Sequence, residues 1–453
     1  MGGGTLQLVI QGGQDVYITG NPEISFFKSV YRRHTNFSIE CMEQVMRGKI
    51  TNKEFTLNYT INKAGDLLSK LHFEIDLPNQ NIINSISGNY CYYSNTTAYN
   101  FLKNVSVSIG EKIIDEHDGR FYDMMNELRR KDGDLDFLIN RHKEIDSFEM
   151  IESPPNIKMY IPLDFWFCKH ISQSLPLIAL QYHDVKLKAT FRSINNIINS
   201  QNDGVRLSDE TQYPISVTSF DIDFLKNIKQ AEVRLWANYI NLDVDERKRF
   251  AQEHHEYLIE QVQHVARDYK PYININLNHP VKCLYWVIQN DVAVKERSDF
   301  KLIDNIKNSF GNPDYTEYQN TWLNSNDFLN YKIHQPVNPC YLKGQVSYDH
   351  FKTMKLIFNG IDRFKARDSS YFRTLQPLEN NYTIPEKNVY MYSFCIDPEN
   401  YLPTGSCNFS RIDNFSIAFT GEQSYNGYKI YLYAKNYNVL RIMEGMGGLL
   451  YSN

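Results

Sequence analysis

The chain has 453 residues, a formal net charge of −5 at pH 7 and 14% aromatic residues. Because all-β domains commonly run to about 200–250 residues, this length favours two domains, each large enough to bury a substantial core. The negative net charge argues against broad nucleic-acid binding. The aromatic content suits β-sheets, because flat rings pack well on a pleated surface.

The first predicted element is an N-terminal arm, residues 1–31. It begins with flexible glycines, and further glycines separate two short apolar stretches at residues 6–10 and 16–18. This pattern is too broken for a core strand, yet Phe26 and Phe27 are costly to leave in water. We expect the arm to become ordered against a partner supplied at assembly. The alternative is that Phe26 and Phe27 cover the first domain.

Strand patterns dominate the rest of the chain. Apolar residues alternate with more polar ones, which predicts strands with one buried face and one wetter face. The apolar positions are Leu71, Phe73, Ile75 and Leu77; Val105, Val107 and Ile109; Val185, Leu187, Ala189 and Phe191; Tyr390, Tyr392, Phe394 and Ile396; and Phe415, Ile417 and Phe419. Turn-forming residues such as Gly110 and the pair Asn359 and Gly360 separate these runs. The chain is therefore predicted to be all-β.

Helical patterns are few and lie in connections. Residues 121–130 place Phe121, Met125 and Leu128 on one face, and residues 245–252 begin with a capping acid. Adjacent histidines, His254 and His255, fall in a charged helical stretch. They are predicted to be surface residues, since neighbours on a helix point to different faces.

The strand runs fall into two sets, which predicts a division into three parts. An Asn-, Ser- and Asp-rich stretch, residues 193–214, separates the sets and is either a linker or a long surface loop. The predicted parts are the arm, a first domain at residues 32–214 and a second domain at residues 215–453.

The C-terminus remains apolar to its end. Residues 428–434 alternate like a half-buried strand, and residues 434–453 stay rich in apolar and aromatic side chains. Chain ends usually become polar and mobile, so this tail is predicted to be tied into the body or an interface. The alternative is a final core strand with a frayed end.

Motifs that carry chemistry are absent from the sequence. It contains no HExxH helix, GxSxG elbow, phosphate-binding loop or GxGxxG turn, which predicts no catalytic site, no metal and no cofactor. Seven scattered cysteines are predicted to be small buried hydrophobes in a reducing compartment. Arg32 and Arg33 fit contacts with phosphates or pairing with neighbouring subunits, and we favour the second because Phe26, Phe27 and Tyr31 lie close by in the sequence. Among the glycosylation sequons, only Asn95 and Asn381 have loop-like surroundings.

Seven blocks of the sequence resemble the major capsid proteins of nucleocytoplasmic large DNA viruses, and they occur in the family's order. The first reads GGQDVYITGNPEISFFKSVYRRHTNFSIE, and the last reads AKNYNVLRIMEGMGGLLYSN. The blocks are residues 12–40, 161–191, 245–263, 278–289, 358–373, 402–414 and 434–453. The sequence differs from the family mainly in the Asn-rich stretch 299–345. This difference concerns the outer loops and not the fold.

This resemblance implies a fold and a function. The fold is two tandem eight-stranded jelly rolls with short helices in the connecting loops. The function is that of a late structural protein whose homotrimers form pseudo-hexagonal capsomers and tile an icosahedral virion shell, assembled in the host cytoplasm. The implied partners are copies of itself, minor capsid and penton proteins, and a nearby internal viral membrane. The genome lies inside that membrane, so no direct nucleic-acid contact is expected.

Two other functions are also compatible with the sequence. The many Tyr and Asn residues also suit a jelly-roll carbohydrate-binding or virion attachment protein, and jelly rolls can host metalloenzymes. Size-exclusion chromatography separates a shell protein from a lectin, because a shell subunit should form a stable trimer. Analysis of the metal content tests for a metalloenzyme. We favour the shell protein.

Overall fold

The structure is a computed structural model. It describes residues 3–23, 25–27, 32–78, 90–93, 96–129, 138–139, 157–194, 197–201, 230–290, 351–385, 388–421 and 428–451. Asn95, the predicted boundary at residues 214 and 215, and the Asn-rich stretch 299–345 lie outside these ranges. The chain forms two compact units, Met1–Phe37 and Ser38–Asn453.

The N-terminal unit contains two short helices that the sequence patterns did not predict, α1 (Gly3–Val9) and α2 (Gly13–Thr19). The Asp15 carboxylate accepts a hydrogen bond from the Gly12 backbone N–H at 3.0 Å and so caps α2. No described residue before Ser38 is buried, and Phe27 is 99% exposed.

Twelve described strands precede residue 243, and ten of them build the two sheets of the first β-sandwich. They are β1 (Phe37–Glu43), β2 (Met46–Arg47), β3 (Phe55–Thr60), β4 (Leu67–Leu77), β5 (Tyr90–Tyr93), β6 (Leu102–Ile109), β7 (Lys112–Asp118), β8 (Ile157–Pro162), β9 (Leu175–Pro176), β10 (Val185–Phe191), β11 (Ile198–Gln201) and β12 (Glu232–Leu242). One sheet has the order β1-β12-β4-β8, with β9 beside β4, and the other has the order β2-β3-β10-β6-β7. The strands β5 and β11 form a separate pair.

The core of this sandwich confirms the alternation predicted for three strands. Every predicted inward residue of β4, β6 and β10 is at most 3% exposed. The strand β12, which the sequence assigned to the second domain, instead pairs antiparallel with β4, so that Val233 lies opposite Ile75. Val233, Leu235 and Ala237 of this strand lie in the first core.

The second β-sandwich contains the remaining described strands. They are β13 (His255–Asp268), β14 (Tyr272–Ile275), β15 (Pro280–Asn290), β16 (Thr353–Phe358), β17 (Ile361–Asp362), β18 (Arg367–Asp368), β19 (Tyr390–Ser393), β20 (Cys407–Asn408), β21 (Phe415–Thr420), β22 (Tyr428–Met443) and β23 (Met446–Leu449). One sheet has the order β13-β22-β15-β19, with β20 beside β15 and β23 beside β22. The other has the order β14-β21-β16-β17, with β18 beside β16.

The alternation predicted in this half is confirmed for β21 and wrong for part of β19. Phe415, Ile417 and Phe419 of β21 are at most 5% exposed. The strand β19 ends at Ser393, whose hydroxyl bonds to the Cys395 carbonyl at 2.8 Å, and Ile396 beyond it is 82% exposed. A local hydrogen-bonded turn thus replaces the last part of the predicted run.

Helices occupy connections, as predicted. Those in the body are α3 (Thr97–Phe101), α4 (Gly119–Arg129), α5 (Trp166–Lys169), α6 (Val244–Gln252) and α7 (Gln376–Glu379). The N-cap of α6 is Asp243, whose side chain accepts from the Val244 N–H at 2.8 Å, and not Asp245. His254 and His255 lie beyond this helix, and His255 begins β13. No helix among the described residues combines the length and the apolar composition needed to cross a bilayer.

Candidate functional site

Helix α4 lies in a third hydrophobic core, between the two sandwiches. One face of the sheet β13-β22-β15-β19 packs into the second sandwich, and its other face packs against this helix. The predicted helical face, Phe121, Met125 and Leu128, is at most 2% exposed. The apolar residues that share this third core are Phe121, Met124, Met125, Leu128, Cys283, Tyr285, Val287, Tyr382, Val389, Met391, Tyr431 and Tyr433. The first sandwich therefore contributes the helix and the second contributes the surface that covers it.

Both ends of α4 are fixed by hydrogen bonds. The Asp118 carboxylate accepts from the Phe121 N–H at 2.8 Å, which satisfies one of the free donors at the helix start. At Gly119 any Cβ atom would collide with the backbone carbonyl oxygens of Tyr99 and Leu102, so only glycine fits. At the other end Thr383, from the second sandwich, donates its backbone N–H and its hydroxyl to the Leu128 carbonyl at 2.8 and 2.9 Å. A residue of the second sandwich thus completes a helix of the first.

Glu260, which is 7% exposed, forms the centre of an ionic network at this junction. Its carboxylate accepts a hydrogen bond from Lys169 Nζ at 2.6 Å and another from Lys282 Nζ. Lys435 Nζ lies 4.0 Å away. Lys169 belongs to the first sandwich, whereas Lys282 and Lys435 belong to the second, so this one carboxylate joins cations from both.

A second part of the network is centred on Arg129, at the end of α4. Its guanidinium makes two parallel hydrogen bonds to the Asp164 carboxylate, at 2.9 and 3.0 Å, which is the strong bidentate geometry. Arg129 also pairs with Glu399 of the second sandwich at 2.9 Å, and Glu399 in turn accepts from Lys435 at 3.1 Å. The network therefore runs continuously from one sandwich to the other.

Burial and neighbouring charges together set the protonation states in this network. Burial would raise the pKa of the Glu260 carboxyl, but the lysines led by Lys169 outweigh it and bring that pKa to about 2. Burial opposes ionisation of Asp164 in the same way, and Arg129 and Lys169 bring its pKa to about 2. Burial lowers the pKa of Lys435. Both carboxylates are therefore ionised at neutral pH, and removing a partner would leave an unpaired buried charge.

An acid–histidine–hydroxyl chain crosses the same junction. The Asp115 carboxylate accepts the Val262 N–H of β13 at 3.0 Å, and its other oxygen lies 3.0 Å from His117 Nε2. His117 Nδ1 lies 3.2 Å from the Tyr122 hydroxyl, which accepts from the Asp164 N–H at 3.3 Å. Burial raises the pKa of Tyr122 well above its usual value, so this hydroxyl stays protonated. The three side chains are buried, and the chain serves as a bridge between the sandwiches.

The third bridge is centred on Arg120. Its guanidinium carbon lies 3.6 Å from the centre of the Tyr431 ring, a cation–π contact, and its Nε donates to Gln289 at 2.7 Å. The Tyr433 hydroxyl donates to Asp118 at 2.6 Å. Strand β22 of the second sandwich is thereby tied to the start of α4.

Strand β22 also reaches the first core. It has 16 residues, and it pairs with β13 along fourteen positions, from Lys429 opposite Asp268 to Ile442 opposite His255. Leu432 lies in the second core, whereas Leu440 and Ile442 lie in the first. The prediction that the C-terminal region is tied into the body is confirmed, because a single strand belongs to both cores.

The sequence patterns missed the ionic network. Its lysines interrupt long apolar strands, as in VKCLYW around Lys282 and YLYAKNY around Lys435. A charged residue in a strand that is otherwise apolar is a signal of a buried pair, because such residues are rarely buried alone. The partners, among them Glu260 and Asp164, are too far apart in sequence to be identified without the fold.

The predicted site residues and cysteines have mixed outcomes. Asn381 is exposed, with a φ of +60°, while the hydroxyl of its sequon partner Thr383 is bonded to α4. Cys283 and Cys395 are buried as predicted, but Cys41 is exposed. Within the described residues, no group of three or more His, Cys, Asp or Glu side chains could hold a metal ion.

Two family models match consecutive parts of the chain. The model described as the N-terminus of major capsid proteins matches residues 25–243, and the model described as a large eukaryotic DNA virus major capsid protein matches residues 246–448. The major capsid protein of Paramecium bursaria Chlorella virus 1 is 33% identical over the full length of both chains. That of Pyramimonas orientalis virus is 32% identical, also over the full length of both.

Solved structures agree with these matches. The VP54 protein of PBCV-1, as fitted into a reconstruction of the virophage Sputnik, has a TM-score of 0.69 and 30% identity, over 95% of this chain and 100% of that one. The Faustovirus major capsid protein has a TM-score of 0.66 over 96% of this chain and 94% of that one, and at 13% identity it supports the fold alone. The prediction of an all-β fold with two tandem jelly rolls is confirmed.

Proposed function

The chain belongs to the major capsid protein family of large eukaryotic DNA viruses, and on this premise we propose that three copies close into a pseudo-hexagonal capsomer. It is a structural protein of the virion capsid. The observation that carries the proposal is the junction around α4 and Glu260, which joins two sandwiches of similar fold within one chain. Three such chains in a closed ring supply six sandwiches, the number that a tile of a hexagonal lattice requires.

We propose that the chain divides into an arm, residues 1–31, a first jelly roll ending near Leu242 and a second beginning near Asp243. The position of β12 in the first sheet supports this boundary, and the two family models adjoin at residues 243 and 246. We place the arm at the base of the capsomer. Its apolar side chains are exposed, and burying them against another protein would be favourable.

The proposed partners beyond copies of the chain are minor capsid and penton proteins, close to an internal viral membrane, with assembly in the host cytoplasm. A net charge of −5 supports the further proposal that the subunit makes no direct contact with nucleic acid. We also propose that the protein performs no catalysis, since the acid–histidine–hydroxyl chain is buried and its tyrosine remains protonated.

We propose Asn381 as a glycan position, with Asn95 as the second candidate. Asn381 is exposed, whereas Thr383 donates its hydroxyl to the end of α4, so glycan transfer would precede folding of this turn. Intact mass measurement of protein from virions, compared with the Asn381→Gln variant, tests the site. A glycan mass that persists in the variant would exclude Asn381.

Light scattering tests the capsomer. Three chains of 53.2 kDa give a mass of about 160 kDa. We expect this mass to persist at micromolar concentration, because obligate interfaces above about 2,000 Å² do not dissociate readily. A stable monomer at that concentration would contradict the proposal.

A further inference from the structure

A pocket lies in the first sandwich, where the chain passes from β1 of one sheet to β2 of the other. Its volume is about 480 Å³, a size typical of small-ligand sites. The lining comes from the end of β1 and the residues that follow it, from Tyr59 of β3, and from the start of β12. Strands of both sheets therefore bound the pocket, within a single compact unit.

Part of the pocket wall is apolar. Val45, Met46, Ile50 and Val233 contribute to it. Val45 is 68% exposed and Met46 is 38% exposed, whereas Val233 is buried. Apolar surface of this kind accepts the stem of a long side chain such as Lys or Arg, whose charged end stays close to water.

Most polar groups of the lining already have partners. The Gln44 side chain accepts a hydrogen bond from the Tyr239 hydroxyl at 3.0 Å. The Arg234 guanidinium pairs with Glu232 at 3.3 Å and with Glu74 at 3.7 Å. These groups gain little from a further ligand.

The hydroxyl of Tyr59 and the carboxylate of Glu43 lack partners among the described residues. The Tyr59 ring is held in the first core, 6.0 Å from the ring of Phe73, and its hydroxyl is buried without a hydrogen bond. Glu43 is exposed and forms no ion pair there. Burial and then the charge of Glu43 raise the pKa of Tyr59, so the hydroxyl stays protonated within electrostatic reach of this carboxylate. A buried hydroxyl without a partner is unfavourable, so a ligand that reaches it is favoured.

The charge around the pocket favours a cation. The lining contains the carboxylates of Glu43 and Glu232 and the guanidinium of Arg234, which leaves an excess of negative charge. The basic residues Arg47 and Lys49 are close in sequence but do not contribute to the lining. A cationic ligand with an apolar stem therefore matches both the charge and the walls.

We propose that this pocket binds the arginine side chain of a partner protein. The guanidinium donates hydrogen bonds to the Glu43 carboxylate and to the oxygen of the Tyr59 hydroxyl, while the stem packs on Val45, Met46 and Ile50. A guanidinium has five N–H donors and is more weakly hydrated than an ammonium. It therefore suits a site whose two acceptors lie partly away from water.

The binding itself does not depend on the proposed function. Its use does, because an arginine anchor of this kind would join the capsomer to a protein that the purified capsomer lacks. The partner is thus a neighbouring chain of the shell with an exposed arginine.

Saturation-transfer NMR of the full-length protein with N-acetylarginine amide tests the pocket, since the method detects weak ligands of large particles. N-acetylcitrulline amide is the matched control probe, because its side chain has nearly the same shape and no charge. We expect saturation of the arginine probe and little of the citrulline probe. Equal saturation of the two, or none of the arginine probe, would overturn the proposal.

Three variants locate the binding. Glu43→Gln should weaken it about fivefold, the scale of an exposed ion pair. Tyr59→Phe should also weaken it and should still fold, because the hydroxyl has no partner among the described residues. Glu40→Gln is the matched control, since Glu40 is an exposed glutamate of β1 outside the lining. Unchanged binding in Glu43→Gln or Tyr59→Phe, or equal weakening in Glu40→Gln, would contradict the site.

A third probe, 1,4-diaminobutane, distinguishes a protein side chain from a free polyamine. Tighter binding of this diamine than of N-acetylarginine amide would assign the pocket to a small amine and overturn the proposal. We expect the diamine to bind more weakly, because it lacks the planar fork of donors.

The outcomes also separate this inference from the proposed function. A trimer of about 160 kDa that does not bind the arginine probe would overturn the pocket alone. A monomer that binds the probe would support the pocket and contradict the capsomer.

Discussion

Lysines from both sandwiches converge on the carboxylate of Glu260, so a single side chain connects the two halves of the body. We expect Glu260→Gln to lower the free energy of unfolding by about 3–5 kcal/mol, because it leaves buried cations without their partner. Glu256→Gln is the matched control, since Glu256 lies on the same strand and pairs with Arg441 at the surface. An exposed pair contributes at most about 1 kcal/mol. Urea unfolding measures both, and equal effects would contradict the role of Glu260.

The carboxyls of Glu260 and Asp164 predict an acid-dependent stability. Their pKa values are about 2 in the folded protein, against usual values of 4.5 and 3.8. The unfolded chain therefore binds protons at a higher pH than the folded one. Their contribution is complete above pH 4.5 and is lost as the pH falls toward 2. Urea midpoints measured between pH 7 and pH 2.5 should show this fall, and it should be shallower in Glu260→Gln. A fall of equal steepness in that variant would refute the assignment.

Strand β22 is the element that contributes to both cores. Leu440 is fully buried in the first core, whereas Met443, three residues later, is 39% exposed. We expect Leu440→Ala to cost about 2–5 kcal/mol, because it leaves a cavity in a packed core. Met443→Ala is the control and should cost less than about 1 kcal/mol. If urea unfolding gives both variants the same stability, the strand does not support the first core.

The N-terminal arm is the element predicted to act only in assembly. Its helices α1 and α2 bury none of their residues. Deleting residues 1–19 should therefore leave the melting temperature of the trimer nearly unchanged while blocking shell formation. Differential scanning calorimetry and electron microscopy of the deletion and full-length proteins measure the two effects. Failure of the shortened protein to fold would show that the arm belongs to the core.

The strands of both sandwiches could be predicted where local periodicity determines burial. The alternations in β4, β6, β10 and β21 identified the inward residues, because one face of each strand meets a core and the other is wetter. The pattern was less informative on β15. Both faces of that strand are buried, and Trp286 enters one core while Tyr285 enters another. Alternation cannot distinguish two apolar environments.

Long-range pairings could not be predicted from periodicity. Strand β12 resembles any other strand in sequence, and only its hydrogen bonds to β4 place it in the first sandwich. The ionic network could not be predicted from periodicity either, because Arg129 and Glu399 are 270 residues apart. Resemblance to a known family supplied the architecture that local patterns could not.

At the scale of the whole molecule, the junction makes the two sandwiches one body. The third core around α4, the ionic network and strand β22 all cross between them within the unit Ser38–Asn453. Two similar sandwiches fixed together in one chain suit a hexagonal lattice. Each chain provides two corners of a six-cornered tile, and the tile needs only three-fold symmetry.

Negative-stain electron microscopy of the purified protein tests this account most directly. We expect particles with three-fold symmetry and a pseudo-hexagonal outline, which join into hexagonal arrays or closed shells at high concentration. Monomeric particles, or particles of two-fold symmetry that never form a hexagonal array, would contradict it.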